Sequence, residues 1–312
     1  MQVWLNILLI LAALTGCLIL ANAIGMRLQA HHGESASIIN LKRRIQSWWG
    51  IVLLLGATAL AGGMALTVVF ALFSFLALRE FLTASSVESA DRPAIFASFL
   101  IALPLQYTFA GLSRDHLFEL FIPLGALLGL PVLTALTANP RNYLARTAEL
   151  YFGLMICVYG ISHVPALLSL KIPGYQGRQM LLVVFLITVT QGSDVSQYLW
   201  GKLFGRHSLA PAISPSKTVE GLAGGLASAT VLGACLWWLT PFSIPQAAAF
   251  AFMIALTGFL GGLVLSAVKR DRGIKDWSQL VSGHGGVLDR LDSVCFSAPL
   301  FFHLVRSLFA QS

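Results

Sequence analysis

The chain has 312 residues, of which 57% are apolar and only 11% charged, with a formal charge of +7 and a mean hydropathy of +0.79. Soluble domains carry about 25% charged residues, and disordered chains need low hydrophobicity with high net charge; both classes are excluded. Gly and Pro show no collagen-like period, so a polytopic membrane protein remains, and its basic excess is expected in loops on one face rather than on a nucleic-acid surface.

A membrane span needs about 20 apolar residues. Taken in chain order, such runs lie near 3–24, 93–112, 117–137, 149–169, 178–193, 221–240, 246–268 and 291–310. The first run holds an A-x-A-like site at Ala21-Asn22-Ala23 but no basic segment before it, so a retained span is expected rather than a cleaved leader. A further run, 48–78, is too long for one helix and carries Gly62-Gly63 near its middle; it reads as a tight hairpin of two short spans. With that hairpin the loops 25–47, 79–92, 138–148, 194–220 and 269–290 share one face and hold sixteen of the twenty Lys and Arg residues. As a single span, 48–78 would put Lys42-Arg43-Arg44 on the opposite face and break the positive-inside bias. The expected fold is all-α, with about nine or ten transmembrane helices in one domain, 1–312. Residues 1–180 supply the N-terminal spans and 190–293 a cytoplasm-facing region; both termini lie on the other side. Cys17, Cys157, Cys235 and Cys295 sit in apolar runs without metal-binding spacing and read as small hydrophobes.

A transporter or channel would concentrate ionisable residues in mid-membrane. His163, Glu119 and His303 are candidates, but along the sequence they are isolated from one another. The polar density lies instead in two stretches on the basic face. In the first, 191–225, Asp194 ends a span beside Ser193 and Ser196, and Ser214-Pro215-Ser216-Lys217-Thr218 precedes Glu220 and a helix start. Hydroxyls, backbone N–H groups and one lysine at a helix N-terminus suit a phosphate, although a plain helix cap is the other reading. In the second, 266–292, Lys269, Arg270, Arg272, Lys275 and Arg290 mingle with Asp271, Asp276, Asp289 and Asp292 around a glycine turn, Gly283-His284-Gly285-Gly286. Asp271 and Lys275, four apart, read as a helical ion pair. Asp289 and Asp292, three apart, read as two carboxylates on one side of a helix at the membrane surface. They are costly there unless a cation or Arg290 offsets them. Carboxylates with basic residues are what metal-dependent phosphoryl or nucleotidyl transfer uses, since its catalysis is mostly positioning and charge neutralisation.

At these residues the chain resembles the phosphatidate cytidylyltransferases, or CDP-diglyceride synthetases. Their C-terminal signature is matched without a gap by Ser266, Val268, Lys269, Arg270, Lys275, Asp276, Ser278, His284, Gly285, Gly286, Val287, Asp289, Arg290, Leu291 and Asp292. Val281 and Ser282 depart from the usual larger apolar residue and proline. Upstream, Ile213-Ser214-Pro215-Ser216-Lys217-Thr218-Val219-Glu220-Gly221 is similar to the family's acid-to-glycine segment, with Val219 in place of a usual Trp. The resemblance is clear over about 190–293; before it, only hydropathy and Arg79-Glu80-Phe81-Leu82 match.

The resemblance implies that CTP and phosphatidate react, with Mg2+, to give CDP-diacylglycerol and pyrophosphate at a bacterial inner membrane, the site facing the cytoplasm. It implies catalytic roles for Lys275, Asp276, Asp289 and Arg290. Metal ligation would fall to Asp276 and Asp289, with Asp194 and Asp292 as further ligands. Ser214, Lys217, Lys269, Arg270, His284, Gly285 and Gly286 would contact the substrates. His284 reads either as a base or as a turn residue. No nucleic-acid partner is implied, and the assembly is open, a homodimer included. A CTP-dependent polyprenol kinase is the nearest alternative; a transporter and a non-catalytic paralogue are the readings from other classes.

Overall fold

The computed structural model describes residues 2–32, 36–278 and 285–310. Its helices are α1 (Gln2–His32), α2 (Ala36–Ala61) and α3 (Gly63–Ala84), then α4 (Arg92–Gly111), α5 (His116–Ala135), α6 (Tyr143–Ser169) and α7 (Met180–Phe204). A two-stranded antiparallel hairpin comes next, β1 (Ser208–Ala210) and β2 (Ser214–Thr218), with Ser208 opposite Thr218 and Ala210 opposite Ser214. The chain closes with α8 (Val219–Cys235), α9 (Ile244–Asp271), the single turn α10 (Leu288–Leu291) and α11 (Val294–Phe309).

The all-α expectation holds apart from that hairpin. Seven helices among the described residues, α1, α3, α4, α5, α6, α7 and α9, are long and apolar enough to cross a membrane. The apolar parts of the others are shorter, Trp48–Ala61, Val219–Cys235 and Val294–Phe309, so the expected nine or ten crossings would depend on helices below the usual length of a span. The break in the long run 48–78 falls where expected. Gly62 has φ +100°, a conformation open to glycine and strained for other residues, and it lets α2 end and α3 begin without a loop.

Burial sorts the bundle. In α6 67% of the most apolar window is buried, against 11% in α1, which makes α6 the central rod and α1 a peripheral one. Helices α4 and α5 each carry a π-helical turn, Ser98–Ala102 and Phe121–Ala126. Pro104 comes just after the first and Pro123 lies inside the second; each removes a backbone donor and loosens the ladder.

Four of the five loops assigned to one face by charge are tied together. Arg146, fully buried, bridges Glu88 (3.2 Å) and Asp91 (3.4 Å), joining 79–92 to 138–148. Glu149 accepts from Ser86 N (2.8 Å) and from Arg272 Nη2 (2.6 Å), which adds 269–290. Arg270 Nε donates to the Ile213 carbonyl at 3.1 Å and so adds 194–220. Two sequence readings are corrected. Helix α9 ends at Asp271, so Asp271 and Lys275 do not share a helix and Asp271 faces Arg272 at 3.4 Å. His163, Glu119 and His303 are also not isolated. Packing of α5, α6 and α11 brings the His163 and His303 rings to 5.2 Å and His303 to 3.5 Å from Glu119, which also pairs with Arg306. Of the cysteines, Cys157 and Cys295 are buried, while Cys17 and Cys235 are exposed.

Candidate active site

Helices α3, α7, α9 and α10 come together on the basic face, and they bring the acids of three separate stretches to one place. Glu80, in the last turns of α3, is buried, a costly position for an acid without donors. It has three. Oε1 accepts from Ser278 Oγ (2.7 Å) and Val287 N (3.0 Å), and Oε2 from Leu288 N (2.9 Å). Gly286 lies so close that an added Cβ would collide with Glu80 Oε2, which is why a residue without a side chain stands there. In the sequence, Arg79-Glu80-Phe81-Leu82 stood out only as a resemblance; an acid inside an apolar helix, which must find partners, was the signal for Glu80.

Asp289 is equally occupied. Lys269 Nζ donates to Oδ1 at 2.6 Å, while Trp277 N and Gly286 N both donate to Oδ2 at 2.9 Å. Asp276 lies next to it. A Cβ built on Gly285, whose φ is +77°, would be 2.5 Å from Asp289 Oδ2 and 3.2 Å from Asp276 Cβ. Asp289 lies in the single turn α10 and Asp292 just after it; they take different hydrogen-bond donors, Lys269 Nζ for Asp289 and Ser293 N for Asp292, while the charge of Asp289 still helps raise the Asp292 carboxyl.

Asp292 joins Asp194. Asp292 Oδ1 accepts from Ser293 N at 2.8 Å, and the Ser293 side chain also hydrogen-bonds Asp194. Lys217 and Asp292 converge on Gly262, where an added Cβ would be 2.9 Å from Lys217 Nζ and 3.3 Å from Asp292 Oδ2. Lys217 Nζ also lies 4.8 Å from the Phe259 ring centroid, a cation–π distance. Burial holds the Lys217 ammonium below the ordinary lysine range, against the pull of Asp292 and Asp194. Burial pushes the Asp292 carboxyl up, against Lys217 and Lys269. Both shifts signal a site whose charges lack their full share of water or counter-ions.

The hairpin before α8 is what aims Lys217. Thr218 caps α8 by accepting from Gly221 N at 3.1 Å, so the cap reading holds for that residue. Glu220 accepts from Arg206 N (3.0 Å), His207 N (3.2 Å) and His207 Nδ1 (2.6 Å), and the His207 hydrogen bond brings its carboxyl down to about 2. Arg270 Nε and Nη1 donate to the Ile213 and Ile274 carbonyls, both at 3.1 Å, tying hairpin to helix end. Ser214 opens β2 opposite Ala210.

A cavity of about 1970 Å3 opens beside these groups, about twice the upper end of ordinary ligand pockets, roughly 1,000 Å3. Of the expected site residues, Asp194, Lys275, Asp276, Gly285, Asp289, Arg290 and Asp292 line it. Lys217 and Lys269 are not among its described lining residues; each faces a carboxylate that is. Arg270 and Ser214 belong to the hairpin contact. His284, with Gly283, Val281 and Ser282, lies outside the described residues. Much of the remaining wall is apolar and comes from α1, α2, α3 and α7, including Ile10, Leu14, Val52, Phe70 and Ile187, while Gln191, Ser196, Tyr198, Lys202 and Ser228 add polar groups from α7 and α8. Among the described residues no three His, Cys, Asp or Glu side chains converge as a ready-made metal cage. Mg2+ does not need one, because it keeps waters and shares one or two carboxylates with substrate phosphates. The pairs Asp194/Asp292 and Asp276/Asp289 fit that donor requirement, with Asp289 the most heavily hydrogen-bonded of the four.

Comparison with known proteins agrees with this geometry. An uncharacterized protein of Escherichia coli (strain K12), YnbB, is 39% identical over 95% of this chain and 97% of its own length. A phosphatidate cytidylyltransferase of Staphylococcus saprophyticus is 31% identical over 77% of this chain and 90% of its own. One from Bacillus subtilis (strain 168) is 28% identical over 86% and 98%. The cytidylyltransferase family model matches residues 42–308, which takes in every cavity-lining carboxylate and cation named above. On its motifs, its site and this match, the chain belongs to the cytidylyltransferase family.

Proposed function

We propose that the protein transfers the cytidylyl group of CTP to phosphatidate, releasing pyrophosphate and forming CDP-diacylglycerol, in a bacterial inner membrane with loops 194–220 and 269–290 in the cytoplasm. One observation carries the reading. A single cavity gathers Asp194, Lys275, Asp276, Asp289, Arg290 and Asp292 and joins them to a long apolar wall from α1, α2 and α3, so it suits an anionic headgroup joined to hydrocarbon. Its volume leaves room for a nucleotide beside the lipid. The two relatives named phosphatidate cytidylyltransferase support the same substrate.

In the proposed reaction a lipid phosphate oxygen attacks the α-phosphorus of CTP and the bond to the β-phosphate bridging oxygen breaks, with pyrophosphate leaving. The nucleophile is already ionised near neutral pH, so no strong base is required. The barrier is the meeting of two anions. Lys275 and Arg290, at the cavity wall, would lower it by binding phosphate oxygens. Lys217 and Lys269 would hold Asp292 and Asp289 in place. Asp194 and Asp292, with Asp276, would hold Mg2+, which when bound neutralises triphosphate charge. Asp289 and Glu80 would fix the loop that carries Asp276.

Purified protein incubated with CTP, Mg2+ and a panel of phosphatidate, other phospholipids and polyprenols tests this. A CDP-lipid from phosphatidate alone, lost on chelation, is expected. A phosphorylated prenol in its place would mean a lipid kinase.

A further inference from the structure

The family match begins at residue 42, after α1, yet α1 forms part of the cavity wall. Its lining positions include Ile10, Leu14, Cys17, Leu18, Ala21 and Ile24. They recur at three- and four-residue spacing, so they form one continuous stripe of the helix. Along the stripe Ile10 is buried, Leu14, Leu18 and Ala21 are half-buried and Cys17 and Ile24 exposed; Leu9, Ile19 and Leu20, which do not line the cavity, are 53%, 58% and 63% exposed, as expected of a face turned to lipid. Helix α1 leans on α2, where an added Cβ at Gly56 would meet the Leu11 side chain at 2.7 Å. Helices α1 and α2 thus pack as a helical hairpin, with α1 against α7 and α2 against α3. The stripe from Ile10 to Ile24 covers fifteen residues, fourteen rises of 1.5 Å or roughly 21 Å. That is longer than one leaflet of the hydrocarbon core, which is half of about 30 Å.

We propose that the α1 stripe is the outer wall of an acyl-chain groove and determines which lipid phosphates are accepted by the length of their chains. The proposal rests on the cytidylyl-transfer reading for its substrate. The polar end of the cavity supplies the headgroup contact, and the groove runs from there toward the N-terminal end of α1. Cys17 is nearer than Ile10 to the basic loop after α1, and therefore to the polar end, by seven residues or roughly 10 Å. Bulk added along the stripe then acts as a stop at a defined depth. Bulk on the lipid-facing side does not.

The test is activity on phosphatidates of graded chain length, dioctanoyl to dioleoyl, at fixed surface dilution. Cys17→Trp is expected to lower kcat/KM for dioleoyl phosphatidate by about 10- to 100-fold, because the indole takes up room a long acyl chain would fill, while dioctanoyl substrate and the KM for CTP stay within about twofold. Ile10→Trp should penalise only the longest chains, and Ile19→Trp and Leu20→Trp should leave the profile unchanged. Should a tryptophan variant fail to fold, Cys17 of the folded protein carrying Cys235→Ser can be converted to mixed disulfides by methanethiosulfonates of increasing size, with methanesulfinate leaving, and then restored with thiol. A loss graded with reagent size and reversed by thiol is the expected result. Wild-type activity with an unshifted chain-length profile in Cys17→Trp and in the disulfide-modified protein would overturn the groove. Absence of any CDP-lipid from wild type would instead remove the functional reading itself.

Discussion

Two pairs of carboxylates at the cavity are treated differently by the fold, Glu80 lying buried behind its wall and Asp289, Asp194 and Asp292 lining it. Glu80 and Asp289 each accept three hydrogen bonds, from backbone N–H groups, Ser278 and Lys269. Asp194 and Asp292 share Ser293 and lie near one lysine, Lys217, whose charge burial itself disfavours. Saturated acids hold a shape. Acids with fewer donors, partly exposed at a cavity, leave oxygens open to a ligand or cation. On the proposed function the first pair supports structure and the second takes part in the chemistry.

The sharpest way to break that division is to remove one acid from each set. Asp292→Asn is expected to reduce turnover by about 10²–10³-fold, the scale of losing one group that stabilises transition-state charge. Its thermal unfolding in detergent should shift little. Equal activity in Asp292→Asn and wild type would dissolve the distinction. Next in size, Lys217→Ala should cost about 10- to 100-fold in kcat/KM, with the loss shared between CTP and lipid because Lys217 acts on Asp292 through its charge and is not among the cavity-lining residues. A loss confined to CTP would return Lys217 to direct nucleotide contact. Glu80→Gln comes third. It turns a donor toward backbone N–H groups and leaves one unsatisfied, a cost of about 1–3 kcal/mol, read as a lower unfolding temperature and faster proteolysis of 276–287, with activity down about tenfold. Wild-type stability in that variant would remove Glu80 from the account.

The smallest expected effect concerns acid. Glu220, its carboxyl brought down to about 2 by His207 and two backbone donors, stabilises the hairpin above the ordinary carboxylate range and loses that contribution as pH falls toward 2. Proteolysis at 205–216 should therefore rise as pH drops below about 4. In Glu220→Gln it should already be raised at neutral pH and change less with acid.

Local chemistry was legible in the sequence. A run too long for one span and broken by Gly62-Gly63 had to fold back, and basic loops had to share a face. The stretch from Lys269 to Asp292 carried more charge than a connection needs. Pairing at a distance was not legible. His163, Glu119 and His303 looked isolated because α5, α6 and α11 are far apart in sequence. The helical spacing of Asp289 and Asp292 suggested a pair, but α10 lasts a single turn and sends them to different partners. Hairpin β1–β2 hid in Ser-Pro-Ser-Lys-Thr, which reads as a turn before a helix until its partner strand is known. The groove wall in α1 was legible only as a span, because a lipid-facing and a cavity-facing stripe are equally apolar.

The central claim is that the α-phosphorus of CTP is transferred to a lipid phosphate at this cavity. Supplying CTP labelled at either the α- or the γ-phosphate, with phosphatidate and Mg2+, to wild type and to Asp292→Asn tests it most directly. The account predicts α-label in the lipid and γ-label in pyrophosphate for wild type, with both reduced by about 10²–10³-fold in the variant. Label from the γ-phosphate in the lipid, or α-label transferred equally well by Asp292→Asn, would contradict it.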